Sequence, residues 1–206
     1  KVANSITRQD VSMATTPTGG EFHLRVLVHV DSSGQARLLK EVIQMWKNGT
    51  VTTDPDGSQR LDVPGHPVLV TDDTVIGQFV GISSRDGEAT GRRISSVGFD
   101  FPQNELLLSG NFEVGSTLQG TISMSADFAR NPFKHKYHPD HKQGLDVTRA
   151  IALQVSAPTA NAAPGFGESI LDGTYSETIT GLHRTNIVVA GSMRLTRLST
   201  VATLNQ

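Results

Sequence analysis

The chain has 206 residues with 18 basic and 20 acidic side chains, a formal net charge of −2, 36% hydrophobic residues and no cysteine. That length buries a core unaided, and the missing cysteine excludes disulfide scaffolds, thiolate metal sites and cysteine nucleophiles. The absence of a basic block argues against a nucleic-acid partner, and no apolar run approaches the roughly 20 residues of a membrane-spanning helix.

Val, Ile and Thr supply 50 residues, a quarter of the chain, and 20 Gly with 9 Pro punctuate it throughout. This bias favours many short strands joined by turns. Residues 1–20 (KVANSITRQDVSMATTPTGG) are polar, with isolated apolar positions at Val2, Ile6, Val11 and Met13 and no helical period. They also lack the apolar centre of a signal peptide, so the chain reads as soluble or already processed. The expectation is an extended N-terminal arm that pairs at a sheet edge, its own or that of a neighbouring copy. Residues 21–206 are expected to form a single β-sandwich domain.

From Phe22 to Val30 apolar residues alternate with period two, which predicts a strand. Asp31-Ser32-Ser33-Gly34 is a turn tetrapeptide. The following QARLLKEVIQMWK reads either as a helix with Leu39, Val42, Ile43 and Trp46 on one face, or as a strand pairing back in a long hairpin; the turn chemistry favours the hairpin, with Asn48-Gly49 as the next reversal. Asp54-Pro55-Asp56-Gly57 predicts another turn, Val63-Pro64-Gly65-His66-Pro67 a rigid loop and Val68-Leu69-Val70 a short buried strand.

Residues 74–80 suggest a single helical turn, and the adjacent acids Asp72 and Asp73 a turn and cap rather than an acid–base pair. Arg85-Asp86-Gly87 reads as a hairpin tip, residues 94–101 as a strand, and Leu106-Leu107-Leu108 as an apolar run after the turn at Pro102. The second half returns to clean alternation at Leu118, Ile122, Met124; Val147, Ile151, Leu153, Val155; Tyr175, Ile179; and Ile187, Val189, Met193, Leu195. The fold class expected is all-β: an antiparallel β-sandwich, jelly-roll or Ig-like, with long loops.

One segment stands out chemically. Residues 131–146 read NPFKHKYHPDHKQGLD, so three of the seven histidines, His135, His138 and His141, fall within seven positions. Pro132 and Pro139 disfavour a helix there. On an extended or turning loop, imidazoles three apart converge on one ion, with Asp140 or Asp146 adding an oxygen, and this ligand set suits a single zinc-like divalent metal. Rings packed under a long loop and bonded to backbone carbonyls give the same sequence without a metal. No H-E-x-x-H or G-x-S-x-G motif is present, so a catalytic zinc site and a serine hydrolase are both disfavoured. One Trp and two Tyr make a poor carbohydrate platform, and core packing is the expected use of Trp46.

The stretches FHLRVLVHVDSSGQARLLKEVIQMWKNGT, GRRISSVGFDF, NPFKHKYHPDHKQGLDVTRAIALQV and GTYSETITGLHRTNIVVAGSMRLTRL resemble a recurring module of large secreted bacterial surface proteins, across about residues 20–198. Lys142 departs from that pattern where an acidic residue is usual, which weakens a metal reading of the loop. The resemblance implies an extracellular or cell-surface β-rich module and brings no activity to any residue. The function expected is therefore a non-enzymatic structural or adhesive module that self-assembles as a homo-oligomer or filament by strand exchange. The alternative is a metal-dependent hydrolase of an extracellular polymer, with His135, His138 and His141 holding the ion and Asp140 or Asp146 as base.

Overall fold

The computed structural model describes residues 23–97, 100–133, 144–158, 170–182 and 185–206. Within them the chain is all-β, its paired strands antiparallel, with a single 3-10 turn. In chain order the strands are β1 (Leu27–Val30), β2 (Ala36–Leu39), β3 (Glu41–Lys47), β4 (Thr50–Thr53), β5 (Gln59–Val63), β6 (His66–Val70), β7 (Val80–Gly81), β8 (Ser83–Arg85), β9 (Glu88–Thr90), β10 (Arg92–Ser95), β11 (Glu105–Leu107), β12 (Thr117–Met124), β13 (Val147–Ser156), β14 (Ile170–Thr180) and β15 (Ile187–Thr196).

Two sheets share the main core, in a β-sandwich arrangement. The order β1-β2-β11 makes one, and the meander β12-β13-β14-β15 the other. Ala36 and Leu38 of the first pack with Leu118, Ile122, Ile151, Leu153 and Tyr175 of the second, joined by Phe101 and Leu108 from the connections. The inward residues of β12 and β13 are the alternating apolar positions of the sequence, as a pleated strand requires. Beyond β11, Ser109 exchanges backbone hydrogen bonds with Gln119 at 2.8 and 2.9 Å, which links the two sheets at one margin. Gly110 makes that link possible: its φ is +99°, and a Cβ there would fall 2.2 Å from the Thr117 carbonyl oxygen.

The hairpin after Val30 forms, but only over β1 and β2, with Gly34 donating to the Asp31 carbonyl at 2.9 Å. At Lys40 the chain leaves that sheet. β3 becomes the centre of a second unit, flanked by β10 and β6 with β7 alongside. Val68 and Val70 of β6 are fully buried as expected, whereas His66 and Pro67 belong to the strand rather than to a loop, so the connection shortens to Pro64-Gly65. The expected strand at 94–101 is β10 and ends at Ser95. The turns at 54–57 and 85–87 appear where the sequence places them. Asp86 and Gly87 both have positive φ, +54° and +86°, the pair of left-handed residues a two-residue hairpin needs.

Each face of the β3 sheet carries an apolar cluster. On one, Ile43, Met45, Val68 and Val70 pack with Phe79, Val75 and Ile76 from the 3-10 turn Asp73–Gln78. Asp72 caps that turn, accepting from the Thr74 hydroxyl at 2.7 Å and the Thr74 backbone N–H at 2.9 Å, and these bonds hold its carboxyl below the usual aspartate range. On the other face Leu27, Leu39, Val42 and Leu69 form a third cluster under Val201 and Leu204. Asn205 fastens this cover: its N–H donates to the Leu69 carbonyl at 2.8 Å, and its side-chain oxygen accepts from the Thr71 N–H at 2.8 Å and the Asp72 N–H at 3.1 Å.

His29 is buried on this same side of β1, directly across from Arg37 on β2. Burial and the Arg37 charge lower its pKa from 6.5. The Val201 backbone, Asp31 and Glu105 pull the other way without offsetting them, and no ring nitrogen makes a well-aligned hydrogen bond. The neutral ring is therefore the native form. Because the unfolded chain binds this proton more readily, the stability His29 allows is fully present above pH 6.5 and is lost as pH falls through the lowered folded value. Urea midpoints should drop from pH 7.5 to pH 5.5, with a slope up to about 1.4 kcal/mol per pH unit for one proton, and His29→Leu should flatten that slope. An equal slope in the variant would remove the assignment.

Candidate functional site

The histidine-rich run is approached through a closed neck. Asn131 is buried, and its amide donates to the Ser125 carbonyl at 2.9 Å and the Leu145 carbonyl at 2.8 Å. Its side-chain oxygen accepts from the Phe133 N–H at 2.8 Å, and Leu145 donates to the Phe133 carbonyl at 3.1 Å. One asparagine thus ties together the residues that flank 134–143. Asp146 is already engaged, accepting the Ala126 N–H at 2.6 Å, so its oxygen serves the neck. His135, His138, His141 and Asp140 lie outside the described residues, as does the arm 1–20. Among the described residues no cluster of three or more His, Asp or Glu is placed to hold a metal ion.

Inside the four-stranded sheet sits a polar group that the sequence reading did not single out. Arg149 on β13 and Glu177 on β14 form a two-point ion pair, one contact being Nη2 to Oε2 at 3.1 Å, and the Tyr175 hydroxyl donates to the same Oε2 at 2.6 Å. Glu177 is almost fully buried. Burial works against the charge on Arg149, and the Glu177 carboxylate more than offsets it, so its pKa is raised; burial and then the same carboxylate raise that of Tyr175. Arg149 and the Tyr175 hydroxyl both keep their protons, which suits a structural clamp and not proton transfer.

The feature best placed to meet another molecule is the margin of this sheet. β15 pairs with β14 in an unbroken register of ten residue pairs, from Ile179↔Ile187 to Ile170↔Thr196. Among the described residues nothing pairs with its other side. Edge strands are normally blunted by lysines, prolines or bulges. β15 has none of these; its single charged side chain, Arg194, is tied to Asp172 at 2.8 Å, and Ile187 and Val188 are exposed. Among the described residues these ten form an edge with no partner strand, a template for an added strand.

Among the described residues no helix is long and apolar enough to cross a membrane. The chain matches no known protein family, no curated protein and no solved structure.

Proposed function

We propose that this protein is a non-enzymatic structural or adhesive module of a bacterial cell surface, assembling into homo-oligomers or filaments by strand addition. The observation that carries the reading is the uninterrupted, unblunted edge of β15. An incoming strand there gains a ladder of main-chain hydrogen bonds, and exposed Ile187 and Val188 supply apolar contact beside it. The donor in this reading is the arm, residues 1–20 of a neighbouring copy, in which Val2 and Ile6 share one strand parity and Val11 and Met13 the other, so each pair can face the sheet from its own stretch of strand. The likeness of four stretches to modules of secreted surface proteins supports the extracellular placement.

Deleting residues 1–19 tests the reading. The expected outcome is a β-rich circular dichroism spectrum identical to that of the full chain, together with loss of every species larger than the monomer in light scattering. An unchanged size distribution after the deletion removes strand exchange through the arm.

A further inference from the structure

Residues 197–206 leave β15 and cross, as a strap, the face of the β3 sheet that carries the third cluster. Val201 and Leu204 rest on Leu27, Leu39, Val42 and Leu69, and Asn205 fastens the far end to Leu69, Thr71 and Asp72. At the near end Leu198, Ser199 and Thr200 wall an open groove of about 570 Å³, with Gln44, Trp46 and Pro67 on its sheet side. Contrary to the expectation that it packs in the core, Trp46 is 39% exposed. Its indole is held from one side by Gly65, where even a Cβ would come within 2.7 Å of the ring nitrogen.

Midway, the strap passes His29, with the Val201 backbone beside the ring. His29 is 7% exposed, and neither ring nitrogen has a well-aligned partner. The charges that face it come from three elements: Arg37 across on β2, Glu105 on β11 and Asp31 at the turn after β1. Arg37 already holds both acids, Asp31 at 2.9 Å and Glu105 at 3.2 Å. The strap adds one charged side chain, Arg197, which lines the groove beside Trp46. An imidazolium at His29 is therefore buried next to a guanidinium with no aligned acceptor for its two N–H groups, a placement that costs free energy until the ring reaches water. The strap is the weakest barrier in its way. β1 is held to β2 by four residue pairs and β3 to β6 by five, whereas the strap adds one isolated bridge, Leu204 to Leu69.

We propose that residues 197–206 form an acid-released latch: a proton on His29 lifts the strap from Leu27, Leu39, Val42 and Leu69 while the strands beneath stay paired. The closed form resists the proton, since burial and Arg37 lower the His29 pKa from 6.5, and the open form takes it up in water. The bias toward opening therefore grows as pH falls from 6.5 toward the lowered value and levels off below it. Release uncovers an apolar face that is sealed at neutral pH. The inference requires neither the arm nor assembly at β15.

Trp46 is the only tryptophan of the chain, and the strap walls its groove, so release shows in its emission. Lowering the pH of the full chain from 7.5 to about 5 should red-shift that emission in one step with a midpoint below 6.5, while far-UV circular dichroism stays constant. His29→Leu should lose the step, and His66→Gln, which removes the titrating ring of β6 opposite Lys47, should keep it. Asn205→Ala leaves His29 in place and weakens only the fastening, so its step should move to higher pH. An emission indifferent to pH would overturn the proposal. So would a step that survives in His29→Leu, that vanishes in His66→Gln, that does not move in Asn205→Ala, or that coincides with loss of the circular dichroism signal.

Discussion

Replacing Glu177 with alanine will lower the unfolding free energy by about 3–5 kcal/mol, the cost of taking the carboxylate from a buried ion pair. Arg149 and Tyr175 both bond to that carboxylate, and Glu177 lies opposite Ile151 on the core face of the sheet. Without it the guanidinium keeps its burial and loses its anion. The paired replacement Arg149→Met with Glu177→Leu removes both charges together and is expected to recover most of the loss, since apolar side chains of similar size commonly match or exceed a buried ion pair in stability. Urea unfolding of the two variants beside the parent protein checks both expectations. A Glu177→Ala loss under about 1 kcal/mol would place the pair among weak surface bridges and contradict the clamp.

Proline at the edge of the same sheet is expected to act on assembly. Neighbouring residues of an antiparallel strand point their N–H groups to opposite sides. Ala190 and Gly191 are adjacent, exposed and within the unbroken register of β15, so Ala190→Pro and Gly191→Pro separate the two sides of the strand. One removes an N–H that bonds β14 and should cost about 1–3 kcal/mol for the carbonyl left unsatisfied. The other removes only an outward donor; it should leave the melting curve near that of the parent and abolish species larger than the monomer. If neither variant changes the size distribution, β15 is not the assembly edge.

The legible and the illegible parts of the fold have physical explanations in particular residues. Strands β12 to β15 were readable because one face of the sheet meets a core and the pleat then writes alternation into the sequence. Arg149 and Glu177 fall in phase with the core positions Val147, Ile151, Tyr175 and Ile179, and that phase was the available signal for the buried pair. Residues 36–47 resisted a single reading because successive apolar residues serve different clusters: Leu38 the main core, Leu39 and Val42 the third cluster, Ile43 the second. A strand covered on both faces shows no alternation, and the apolar positions then mimic a helix.

Trp46 shares its face with Val42, and its exposure depends on where a cover from more than 150 residues away stops. Local sequence contains no trace of that distance. Which strand stands at the margin of the four-stranded sheet was not legible in local sequence, because it follows from the strand order. His135, His138, Asp140 and His141 lie outside the described residues, and the structure adds to them only the neck that Asn131 ties beneath.

Backbone amide hydrogen exchange across Ile187–Thr196, measured on the full chain at concentrations above and below the onset of assembly, tests strand addition most directly. Alternate amides of β15, those directed away from β14, should exchange freely in the dilute monomer and become protected in the assembled sample. Equal exchange of these amides in both samples, with protection gained elsewhere in the chain, would contradict the account.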